Sequence, residues 1–168
     1  MRKILKTGAA ALMLTSMFAD MCAAAERFAG CANPVDMYAV RAAAIQQNLM
    51  IAASSCHAVP EYDRFVTRYR RGLQASDHQL EAFFRRLYGQ SGTVKYHAFK
   101  KRLANASSLQ STNKGPAYCA DAQASFDLAL NGRRRSLTAF LGAQPSRAEE
   151  DFSPCVIVAA STKQPPYR

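Results

Sequence analysis

The sequence predicts an all-α fold, a disulfide-stapled bundle of five to six helices around a central apolar helix. Three observations predict it. Segment after segment repeats its apolar residues at a period near 3.6. The one β-like run, Val156-Ile157-Val158, is too short to make a sheet. Pro34, Pro60 and Pro116 each stand where an apolar-periodic segment begins, the helical position that proline favours.

The 168 residues, 49% of them hydrophobic, can supply one packed core. Residues 1–25 read as a signal peptide. Arg2, Lys3 and Lys6 give a basic start, Gly8 to Phe18 a short apolar run, and Ala23-Ala24-Ala25 a small-residue cleavage site. No apolar run reaches the roughly 18 residues of a membrane span. Cleavage would remove Arg2, Lys3, Lys6 and Asp20, lowering the net charge from +10 to +8. It would also remove Cys22. Cys31, Cys56, Cys119 and Cys155 then remain, and an even count in an exported chain implies two bridges. Residues 26–168 are expected to form one helical domain in the periplasm or outside the cell, with an irregular tail from about residue 143.

Asn33 can cap the first helix, with Pro34 in its first turn and Asp36 at the positive end of its dipole. From Met37 to Cys56 the only charge is Arg41, and Tyr38, Ala42, Ile45, Leu49 and Ala52 share a face. A helix so poor in charge belongs at the centre. A second helix runs from Pro60 to about Leu73, with Phe65 and Tyr69 inward and Arg64, Arg68 and Arg71 opposite. Ser76-Asp77-His78-Gln79 reads as a capping box that opens a third, with Leu80, Phe83 and Phe84 inward and Arg85 and Arg86 pointing away. The fourth spans about Val94 to Leu109, with Tyr96, Phe99, Leu103 and Ala106 inward. The polar stretch from Ser107 to Gly115 reads as a loop. The fifth runs from Pro116 to about Leu130, and Arg133 to Leu141 is a short sixth. Cys56 and Cys119 both lie on inward faces, which favours pairing them and leaves Cys31 and Cys155 to join the chain's two ends. Three pairings are possible from four cysteines.

Catalytic motifs are missing. The chain has no glycine-rich phosphate loop, no Cys-x-x-Cys, no Gly-x-Ser-x-Gly and no His-Glu-x-x-His. No cofactor and no metal site is expected. His78 and Glu81 lie one helical turn apart but supply two ligands only. His57 beside Cys56 loses any metal or thiol chemistry if Cys56 is bridged. Glu149-Glu150-Asp151 is expected to be a solvated acidic run. The composition leans away from an enzyme. The enzymatic alternative would use scattered residues, with His78, Glu81 and His97 as the group to test. A stress chaperone that exposes its aromatic faces is the other alternative.

One feature points to a partner. Ten basic residues lie between Arg64 and Arg102, opposed there only by Asp77 and Glu81. Arg64, Arg68, Arg71, Arg85, Arg86, Lys100, Lys101 and Arg102 are the expected anion-binding surface, with Arg133-Arg134-Arg135 as an extension. Such a surface attracts polyanions. Outside the cytoplasm these are anionic lipid, acidic glycan or acidic protein, so a peripheral membrane contact is expected. The aromatics sit at core spacing, which does not favour nucleic acid.

Several stretches also carry a resemblance. They are Cys31–Met37 (CANPVDM), Gln46–Cys56 (QQNLMIAASSC), Tyr62–Val66 (YDRFV), Leu80–Arg86 (LEAFFRR), Leu103–Ser108 (LANASS) and Tyr118–Ala122 (YCADA). Together they resemble a family of small exported proteins of alphaproteobacteria. The resemblance implies export and carries over no catalytic role. The sequence therefore leads to an exported, non-enzymatic, envelope-associated binding protein.

Overall fold

The computed structural model describes residues 30–132 and 136–155. Residues 1–25, expected to be a signal peptide, and Arg133-Arg134-Arg135 and Val156-Ile157-Val158 lie outside the described residues. Helix α1 (Pro34–Ser55) begins at a full capping box. The Asn33 side chain accepts from the Val35 and Asp36 amides, each at 2.9 Å, and Asp36 Oδ2 accepts from the Asn33 amide at 2.8 Å. This satisfies the orphan donors of the first turn. The small residues Ala39, Ala42, Ala43 and Ala52 are all buried, so neighbouring helices approach α1 closely on several sides. It ends at Cys56, and His57 takes a left-handed conformation with φ 56°. The Ala58 amide then closes the turn on the Ala53 carbonyl at 3.0 Å.

Helix α2 (Val59–Tyr88) is one continuous helix of 30 residues. The expected break before Ser76 does not occur. Ser76 Oγ donates to the Leu73 carbonyl at 2.9 Å instead of capping a new helix, and Asp77 Oδ1 accepts from the Tyr96 hydroxyl at 2.7 Å. Phe65, Tyr69, Leu73, Leu80 and Phe83 form one unbroken buried stripe. Burying each such phenylalanine stabilises the fold by about 1.5–3 kcal/mol before entropy is counted. That continuity outweighs a local capping signal. Gly89, with φ 54°, ends α2, and a 3₁₀ turn (Gly89–Ser91) leads into α3 (Gly92–Lys114). A Cβ on Gly92 would lie 2.5 Å from Arg85 Cα, so the two helices meet backbone to backbone there.

Helix α3 runs through the stretch expected to be a loop. No glycine or proline interrupts residues 107–114, and Ser107 is buried while Ala106 is exposed. Gly115 ends it with φ 53°, and α4 (Pro116–Leu130) follows. Helix α5 (Leu137–Leu141) is a short helix capped by Ser136, whose Oγ accepts from the Ala139 amide at 3.2 Å. The described residues thus hold four long helices and one of five residues, with no strand. The expected bundle of five to six helices is built on four long ones, because the second and third expected helices are one.

Helix α1 separates two parts of the core. Ile45 and Leu49 pack with Phe65, Tyr69, Phe126 and Phe140. Val40 and Ala43 pack with Leu80, Phe83, Phe84 and Phe99. Two disulfides fasten the bundle: Cys56–Cys119 ties the end of α1 to α4, and Cys31–Cys155 ties the two ends of the described chain. With sequence separations of 63 and 124, they contribute about 4 and 5 kcal/mol in the chain-entropy model. The C-terminal segment is a strap. Its 3₁₀ turn (Ala148–Asp151) brings Phe152 within 5.1–5.8 Å of Phe83, Phe84 and Phe99, ring centre to ring centre. The acidic run in that turn is not simply solvated. Glu149 accepts from Arg41, the one basic residue of α1, and from Ser146, while Asp151 pairs with Arg102.

Candidate functional site

The expected anion-binding residues meet different fates, set by which face of α2 or α3 each occupies. Arg86 is not free on the surface. It pairs with Asp36, which is fully buried, and its guanidinium also reaches the Cys31 carbonyl at 3.3 Å. Lys100 is 2.8 Å from Asp77 and 3.1 Å from the Tyr96 hydroxyl. Burial opposes the charge on Asp77, yet hydrogen bonds from Lys100 and Tyr96 hold its carboxyl below the ordinary range. Burial likewise opposes the charge on Lys100, and its bonds to Asp77 and Tyr96 hold its pKa above the ordinary value. These two cations serve the fold.

Arg64, Arg85 and Arg102 stand in exposed pairs with Glu61, Glu81 and Asp151 at 3.2, 2.7 and 3.2 Å. Pairs of this kind are worth about 0–1 kcal/mol and yield readily to a competing anion. Arg68 donates to the Leu130 carbonyl at 2.5 Å, and the neighbouring Tyr69 hydroxyl to the Ala129 carbonyl at 3.0 Å. Both cap the negative end of α4. Arg70, Arg71, Lys95 and Lys101 are exposed and have no carboxylate partner among the described residues.

The structure therefore divides the basic segment. Its densest part is a cleft of about 490 Å³ along the middle of α2, lined by Arg68, Arg70, Arg71, Gly72 and Leu137 among others, with no acidic residue in the lining. Gly72 lies in the lining, close to Leu137 of α5. A Cβ there would lie 3.0 Å from Leu137 Cδ2, so glycine lets α5 seat against α2 beside the arginines. Lys95 and Lys101 lie on α3, away from this lining. Arg70 and Lys95 are not among the eight expected residues. No local sequence signal sets them apart, since Lys100 and Arg102 equally lack a nearby acid and yet pair with Asp77 and Asp151.

Among the described residues no hydrogen bond or ion pair links His78, Glu81 and His97 to one another. His78 and His97 are exposed, His97 lies against the Tyr96 ring at 4.9 Å, and Glu81 is paired with Arg85. No group of three or more His, Cys, Asp or Glu side chains that could hold a metal occurs among the described residues. His57 serves the α1–α2 turn, and Cys56 is bridged. No protein-family model matches the chain, and neither curated proteins nor solved structures give a match.

Proposed function

We propose that the protein is an exported, non-catalytic binding protein whose Arg70–Arg71 face holds an anionic component of the cell envelope. The observation that carries this reading is the cleft on α2, where arginines without carboxylate partners meet no acid in the lining. Guanidinium groups suit phosphate and carboxylate because they donate in a planar fork and are weakly hydrated. Export is supported by the two disulfides, which persist in oxidising compartments, and by the leader-like residues 1–25. No helix among the described residues is long and apolar enough to cross a membrane, so contact with a membrane would be peripheral.

The test begins with the whole chain expressed with its own leader and recovered from the periplasm. The protein is then sedimented with phosphatidylglycerol vesicles at low salt. Binding is expected to fall at least tenfold in the double variant Arg70→Glu, Arg71→Glu, since each cation near an anionic surface is worth about 1 kcal/mol. Raising the salt should weaken the unmodified protein in the same direction. Equal binding by the variant and the unmodified protein would overturn the site. Retention in the cytoplasm with an uncleaved leader would overturn export.

A further inference from the structure

A second cleft, of about 610 Å³, opens where α2 hands over to α3. Its floor is aromatic. Phe84 and Phe99 are buried with ring centres 5.2 Å apart, and Phe152 of the strap stands edge-on to both. Its rim is amphipathic. Tyr88 is 43% exposed and lies 5.7 Å from Phe84, ring to ring. Lys95 Nζ sits 6.0 Å from the centre of the Tyr88 ring and has no carboxylate partner among the described residues. Seven residues on, Arg102 occupies the same side of α3, about 10 Å further along the axis. It lies over Phe99 and pairs with Asp151 at the surface.

We infer that this cleft binds an amphipathic organic anion, with one carboxylate, sulfonate or phosphate head on a flat or acyl apolar body. Lys95 takes the head because it is the cation in the lining with no acid to neutralise it. The body lies against Tyr88 and Phe152, where an exposed ring gains by being covered. The volume is that of ordinary small-molecule sites. A bare inorganic anion would leave the aromatic rim uncovered, and a neutral apolar molecule would leave the Lys95 charge unanswered. Asp151 disfavours a second negative group at the Arg102 end, so a single anionic group on the ligand fits best. This site is separate from the Arg70–Arg71 face and does not depend on it.

The test titrates the folded, oxidised protein with two probes. Anilinonaphthalene sulfonate represents the flat anions, and laurate below its micelle concentration the acyl ones. Saturable binding at one molecule per chain is expected for at least one, and which probe binds identifies the body. Lys95→Glu should weaken it at least tenfold and Tyr88→Ala severalfold, whereas Lys95→Arg and the Arg70→Glu, Arg71→Glu double variant should bind as the unmodified protein does. Lys95 and Tyr88 are exposed, so their variants should keep the helical circular dichroism. The inference is overturned if neither probe binds, if many molecules bind per chain, or if Lys95→Glu binds as well as Lys95→Arg. Vesicle binding reads the α2 arginines and the titration reads Lys95, so either result can fail alone.

Discussion

Asp36 should be the most costly single polar residue to remove. It is fully buried, and three donors converge on its carboxylate: the Asn33 amide and Gln79 Nε2 at 2.8 Å each, and the Arg86 guanidinium. Asp36→Ala removes one side of a largely buried ion pair, a change that costs about 3–5 kcal/mol where water is excluded. The Arg86 side chain keeps 27% of its exposure and the Cys31 carbonyl, which relieves part of that cost. Loss of the capping box adds about 1 kcal/mol. The expected destabilisation is therefore roughly 3–4 kcal/mol, with the isosteric Asp36→Asn somewhat milder. Urea unfolding with both disulfides intact measures it. In a double-mutant cycle with Arg86→Leu, the combined cost should fall short of the sum by at least about 1 kcal/mol. A loss below about 1 kcal/mol for Asp36→Ala, or additivity within about 0.5 kcal/mol, would refute the reasoning. Arg86→Leu should also leave vesicle binding unchanged, because that arginine is committed to the interior.

Two further outcomes follow from local geometry. His57→Gly should raise stability by about 1 kcal/mol and the melting temperature by a few degrees, because φ 56° strains a residue with a Cβ and His57 is exposed; an unchanged or lower melting temperature contradicts this. The Asp77–Lys100 pair should stabilise the fold most in the middle of the pH scale. Asp77 has a folded pKa below its ordinary value, so its contribution is complete above the ordinary carboxylate range and fades as pH falls through the folded value. Lys100 has a folded pKa above its ordinary value, so its contribution is complete below the ordinary lysine range and fades as pH rises through the folded value. The difference in unfolding free energy, measured in urea, between the unmodified protein and Asp77→Asn, under about 1 kcal/mol for so exposed a pair, should shrink at both extremes. A difference that grows in acid contradicts it.

Much of the fold was legible because its signals are local and periodic. Asn33 and Pro34 announce α1, and Phe65, Tyr69, Leu80 and Phe83 trace the buried face of α2. The four-residue capping pattern at Ser76 suggests a break, but the apolar stripe keeps its phase through Leu73 and Leu80, and the helix continues. The polarity from Ser107 onward suggests a loop, but no glycine or proline occurs before Gly115, and the helix runs to Lys114. The candidate site was less legible. Whether a cation is free depends on acids distant in sequence, and nothing near Arg86 or Arg102 reveals that Asp36 and Asp151 fold onto them. The strap shows the same limit, since Glu149 finds Arg41 across 108 residues.

Where the chain comes into the bundle and where it leaves lie side by side. Ala32 and Pro154 form a parallel bridge, flanked by the Cys31–Cys155 bond. Tension applied to the two ends of the chain would therefore pass through that one covalent link. The helices between would bear almost none of it. The oxidised protein is a mechanical short circuit, able to be pulled without being unfolded, and reduction of that one bond would release about 200 Å of slack, because Cys56–Cys119 still closes 63 of the 124 residues it spans.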